Sequence, residues 1–238
     1  MEEIESELNR IEEAVLKGDY SLKEMGFWRI VAKVKKEPEL THKFADQIGR
    51  IDQAVFRAKA PITVPIKVGH FIEMTMTFVV IIVLYFLLSS GIYTGVALIA
   101  GTFVLMGTLH PLAHWIVGRI FGIEFTFYFP DGPALIEPTI KTDYASYLRA
   151  APIKRAIMHA AGPIISTFVI IPSLVIAVII EVPSWSFWLL LGFLIFNAVF
   201  EVLPPLWVKL GVKGLVKSDS YRAWREWKIH RLYVSRMT

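Results

Sequence analysis

The sequence predicts an all-α polytopic membrane protein: four transmembrane helices, a small cytosolic helical region before them, and a β-hairpin in the 119–155 loop. Three observations carry this. Hydrophobic residues make up 55% of the 238 and mean hydropathy is positive, too apolar for a water-soluble globule. Four apolar stretches, at 71–90, 91–118, 156–180 and 184–208, match the roughly twenty helical residues that cross a bilayer core. Finally, twelve basic residues precede residue 70, five lie in 119–155 and eight follow from 209, which exhausts the 25 in the chain. By the positive-inside rule both termini and the 119–155 loop are cytoplasmic, and the hairpins "SSGIYTG" and "EVPSW" face the other side.

In chain order, residues 1–66 read as a cytosolic helical region. "EEIESELNRIEEAVLKG" keeps Ile4, Leu8, Ile11 and Val15 at helical spacing, with Gly18 as its stop. The Ser21-x-x-Glu24 pattern predicts a capping box opening a second helix that ends before Pro38. A third helical segment runs from there to the Pro61 and Pro65 stretch, which breaks helix ahead of the first span. Residues 67–208 form the four-span domain. In its central loop "IEFTFYF" alternates apolar and polar residues, turns at Asp131-Gly132-Pro133 and continues as "ALIEPTI", the pattern of a hairpin lying at the cytoplasmic mouth. Residues 209–238, basic and rich in aromatics, read as a juxtamembrane tail lying on anionic headgroups. Topology explains the positive charge, so no nucleic-acid partner is implied. The Met-Glu-Glu start and charged N-terminal region show no signal-peptide pattern.

The chain has no cysteine, which removes disulfides, thiolate catalysis and thiolate metal sites. Any metal must use His, Asp, Glu or carbonyl oxygens. Ionisable groups inside a membrane are costly and normally face the bundle interior. Counting inward from the basic anchors Arg119, Arg155 and Lys209 at about 1.5 Å per residue, His114 lies roughly 7 Å deep, His110 roughly 13 Å, His159 roughly 6 Å, Glu201 roughly 12 Å and Asn197 roughly 18 Å. His110 with His114, and Asn197 with Glu201, are same-face i, i+4 pairs. Glu73 sits within a turn of the cytoplasmic entry and is expected to reach the interface. Pro111 cannot donate to the carbonyl of Gly107, so the span is expected to kink or break there. Each group also has a structural reading: helix–helix hydrogen bonding for the histidines and Asn197, and a protonated carboxyl for Glu201.

The order "HPLAH", "HAAGPIISTF", "FNAVFEVLPPLW" resembles the site-2 protease family of intramembrane zinc metalloproteases, over about half the chain. That family carries His-Glu-x-x-His, an Ala-Gly-Pro segment and an Asn-x-x-Pro-x-x-Pro-Leu-Asp-Gly stretch on three consecutive helices, with the site toward the cytosol. The resemblance implies zinc, or another divalent metal, on His110 and His114. It implies supporting roles for Gly162, Pro163, Asn197, Pro204 and Pro205, with Ala161 and Leu206 also matching. Two matches fail. Pro111 stands where the family has its general-base glutamate, and Trp207 where it has the metal-ligating aspartate. With two histidines short of the three or four ligands zinc sites use, Glu201 or His159 is expected to complete the set. Asp131, Glu137 and Asp143 are further carboxylates near the mouth. A di-iron oxygenase is disfavoured, since its histidine boxes need more than the six histidines present, of which His42 and His230 lie far from the spans.

Two functions follow as expectations. One is a site-2-protease-like metal-binding protein without hydrolytic activity, a pseudoenzyme that binds membrane-protein segments or regulates an active protease relative. The other is an active intramembrane metalloprotease in which Glu201 is the catalytic base.

Overall fold

A computed structural model describes residues 1–60, 62–91, 93–131 and 137–236, with backbone alone at 202, 204, 205, 213 and 215. The chain is mostly helical. Helices α1 (Glu2–Leu16), α2 (Phe27–Val34) and α3 (Pro38–Lys59) precede strand β1 (Val64–Pro65). Then come α4 (Ile66–Ser90), α5 (Thr94–Ile120), strands β2 (Phe125–Asp131) and β3 (Glu137–Thr142), α6 (Tyr144–Arg149), α7 (Pro152–Ile179) and α8 (Ser184–Val202). Helix α9 (Pro204–Lys209), a 3₁₀ turn (Lys213–Lys217) and α10 (Asp219–Val234) finish the described chain.

Among the described residues four helices, α4, α5, α7 and α8, are long and apolar enough to cross a membrane. Helices α5 and α7 form the centre. Their facing surfaces carry small and hydroxylic residues, which let backbones approach and supply hydrogen bonds where lipid gives no hydrophobic drive. Thr102 and Ser173 share a 2.8 Å hydrogen bond between them. Helix α4 packs on α5 through Gly101, where an added Cβ would run into Leu84, and through a 2.8 Å bond from Thr77 to Thr108. Beyond Glu73 most of α4 is apolar and exposed, the surface expected of a lipid-facing helix. The turns beyond α4 and α7 place Tyr93 and Glu181 at positive φ, 51° and 52°, so each reverses the chain within a few residues.

At the opposite end the N-terminal helices and the central loop come together. Leu8, Ile11, Phe27, Val34, Phe44 and Ile48 from α1 to α3 share one buried core with Ile123, Phe125, Tyr147, Leu148 and Met158, from the central loop, α6 and the start of α7. Ion pairs Lys141–Asp52 and Arg149–Asp46 stitch the loop to α3. The hairpin expected in the 119–155 loop is present as β2 paired antiparallel with β3, while its Gly132-Pro133 turn lies outside the described residues. A third strand, β1, joins β2 through Val64 and Pro65. Two residues, one of them a proline, give no alternation to read, so sequence alone missed it.

Several expectations are corrected. No helix starts at the Ser21 capping box: α2 begins at Phe27 after Gly26, whose φ of +76° breaks the helical path. Ser21 instead donates its hydroxyl to Asp19. Helix α5 is not broken at Pro111 but runs continuously from Thr94 to Ile120 with the proline inside it. The fourth span ends at Val202, six residues short of expectation, because Leu203 leaves the helix and Pro204 opens α9. Glu73 is 8% exposed and lies beside Tyr128 in a cavity of about 230 Å³ roofed by the small sheet.

Candidate metal centre

His110 and His114 lie one turn apart on α5, and both turn their Nε2 atoms to the same point. Those atoms are 3.1 Å apart. The third corner is Oδ2 of Asp219, 3.2 Å from His110 Nε2 and 3.1 Å from His114 Nε2. These three form the described cluster suited to a metal ion. Tetrahedral zinc, with bonds of about 2.0–2.1 Å to nitrogen and oxygen, sets neighbouring donors roughly 3.3 Å apart, within a few tenths of this triangle.

The surroundings fix each donor. His114 Nδ1 lies 2.7 Å from the carbonyl of Met158, which only accepts, so Nδ1 carries a hydrogen and Nε2 is the ring atom turned inward. His110 Nδ1 is 3.0 Å from the hydroxyl of Ser166, one helical turn beyond Gly162 on α7. Such outer partners orient histidine ligands in metal sites. Gly162 itself faces the triangle. A Cβ there would collide with the Nε2 atoms of both histidines, so glycine keeps open the space an ion needs. Two bare nitrogens and a carboxylate oxygen this close repel unless positive charge sits among them. Protons or a divalent cation can supply it, and the donor set, two imidazoles and one carboxylate, fits zinc.

Asp219 arrives from α10. It is the first residue of that helix, after Ser218, whose side chain caps the turn by accepting from the amide of Tyr221. A carboxylate is stabilised at a helix N-terminus by the backbone dipole. Burial alone would raise the Asp219 carboxyl. The contacts with His110 and His114, the charge at His114 and the contact with His159 outweigh it and hold the group well below the ordinary carboxylate range. Its second oxygen, Oδ1, faces His159 Nδ1 at 3.6 Å and Arg222 at 3.5 Å.

Of the site residues read from sequence, the structure brings His110, His114 and Gly162 together. It does not place Glu201 or His159 in the triangle; Asp219 takes the position expected of one of them. His159 stands behind Asp219, with Nε2 3.0 Å from the hydroxyl of Tyr147. Glu201, at the end of α8, accepts a hydrogen bond from Ser220. It lines a cavity of about 380 Å³ with Pro163, Thr167 and Ala198. Asn197 accepts from Thr167 at 3.1 Å and so ties α8 to α7. Pro204 and Pro205 start α9; their side chains lie outside the described residues. Asp143 caps α6 by accepting from the amide of Ser146 at 2.8 Å, and Asp131 pairs with Glu137 across the hairpin.

Asp219 was the missed residue. The signal lay in the tail: Asp219 and Glu226 are its only acidic residues from 209 on, among eight basic ones, and they stand seven apart, two turns along one helix face. The tail therefore does more than lie on headgroups, since α10 packs along α7 and brings a carboxylate to the histidines. Comparison with protein families, with characterised proteins and with solved structures returns no match.

Proposed function

We propose that this protein holds a divalent metal ion, zinc by its donor set, on His110, His114 and Asp219 within a site-2-protease-like membrane bundle. In this reading it binds membrane-protein segments, or an active protease relative, without cutting them. The convergence of three donor atoms within 3.2 Å, around a glycine that leaves room for an ion, carries the proposal. A third ligand supplied by α10 answers the loss at Trp207. A divalent ion at such a site supplies Lewis-acid chemistry. The chain's own residues bind and orient it: Ser166 and Met158 set the ring planes, and His159 and Arg222 face the outer carboxylate oxygen.

The absence of hydrolysis rests on Pro111. It occupies the position one turn before the second histidine where a glutamate would take a proton from water and pass it to the leaving nitrogen, and proline does neither. One observation favours the alternative. Glu201 is held by Ser220, the neighbour of Asp219, and lines an apolar cavity against α7. A carboxylate so placed is the candidate base of an active protease.

Metal analysis of the purified protein is the first test. About one equivalent of zinc is expected, lost in His110→Ala, His114→Ala and Asp219→Asn; no metal, or metal indifferent to these changes, overturns the reading. Incubation with a generic transmembrane substrate separates the two functions. Cleavage abolished by Glu201→Gln would establish the protease.

A further inference from the structure

We infer that the N-terminal helices fasten α10 onto the bundle, with Lys35 and Glu226 as the positioning residues that hold Asp219 at the metal centre; the inference rests on the metal reading above. Helix α10 is short of the usual means of attachment. Among its described residues Glu226 is the buried one, at 2% exposure, while Trp227, Leu232 and Val234 are each more than 40% exposed. An amphipathic helix is normally held by an apolar face. This one is held by polar anchors.

The anchors converge on Glu226. Arg155 of α7 donates to its Oε2 at 2.8 Å, the hydroxyl of Tyr147 donates to its Oε1 at 3.0 Å, and Lys35, the residue that ends α2, donates to the same Oε1. All three partners are buried, Lys35 at 4% exposure and Arg155 at 1%. The connection between α2 and α3 also grips the far end of α10. Tyr233 donates its hydroxyl to the Lys35 carbonyl at 2.9 Å, and Arg236 donates to Glu37 at 2.8 Å. A second route leads inward, since Tyr147 also meets His159, which faces Asp219. Asp219 and Glu226 lie two turns apart on one face, so a helix fixed at Glu226 has little freedom to withdraw Asp219. Residues 1–60, otherwise remote from the histidines, thereby act on the site through α10.

The test uses the full-length protein in detergent and cobalt(II), whose visible spectrum reports its coordination. Lys35→Met and Glu226→Gln are expected to weaken cobalt binding by roughly tenfold or more, the scale of losing an outer-shell partner. Tyr233→Phe, which leaves the buried charges in place, is expected to weaken it by about two- to fivefold. In an Asp219→Asn background Glu226→Gln should add almost nothing, because the ligand it positions is gone. The cysteine-free chain allows a metal-independent readout. Maleimide labelling of Ala223→Cys on α10 should quicken in Lys35→Met and Glu226→Gln, while Ala45→Cys in the soluble core stays unlabelled. If core exposure shows that either buried variant misfolds, the Tyr233→Phe result decides. Unchanged cobalt affinity in the folded variants overturns the inference alone when Asp219→Asn still weakens binding. An equal Glu226→Gln effect with and without Asp219 also overturns it, and a parent protein that binds no cobalt overturns it together with the metal reading.

Discussion

At the scale of single residues, the centre depends on one missing atom as much as on its donors. Gly162→Ala adds a Cβ that collides with both imidazoles, on a helix otherwise tolerant of alanine, so it should abolish metal binding while leaving far-UV circular dichroism unchanged. A metal ion competes with protons for the same donor atoms, so loading should release protons, measurable as an indicator change in weakly buffered solution and absent in His114→Ala. His110, His114 and Gly162 were legible because their chemistry is local: an i, i+4 pair on one helix and a glycine in a short motif. Asp219 was not, since it sits 105 residues beyond His114 in a segment whose composition speaks of lipid headgroups. Nothing in a sequence window reports that its helix folds back.

At the scale of elements, the four long helices were readable from hydropathy, because each is a continuous apolar run of the length that crosses a bilayer. Their ends were less so. The early end of α8 at Val202 and the late start of α2 at Phe27 are set by Leu203 leaving the helix and by the positive φ of Gly26, local events that propensity does not rank. Helix α10 carries an acid-sensitive anchor. Burial alone would raise the Glu226 carboxyl, but the charges of Lys35 and Arg155 and the hydrogen bonds from Lys35 and Tyr147 hold it below its ordinary value. A carboxyl depressed on folding stabilises the docked state fully above its unfolded pKa, and that stability is lost as pH falls through the folded value. Amide exchange along α10 should thus stay slow near neutrality and accelerate once pH drops below the ordinary glutamate range. Glu226→Gln should remove most of that pH dependence.

At the scale of the whole molecule, the N-terminal helices, the central loop with its sheet, and α10 all gather at one end of the bundle, where they share a core and several ion pairs. The basic residues follow the same division, with none in either short hairpin at the other end. Trypsin added outside intact cells should therefore leave the chain whole, whereas inverted vesicles should be cut; cleavage in intact cells would place this end outside. The segregation of charge was visible in sequence because it is a matter of residue positions alone. The fusion of three soluble pieces into one body was not, because it depends on contacts such as Lys35 with Glu226, 191 positions apart.

Asp219 closes the triangle from beyond the last long helix, so the proposed ligand set is complete only in the chain that reaches α10. His110 and His114 come with α5, the clearance at Gly162 with α7, and the carboxylate only with α10. A chain cut before α10 keeps two of the three donors, short of the number that zinc sites use, and should hold metal far more weakly.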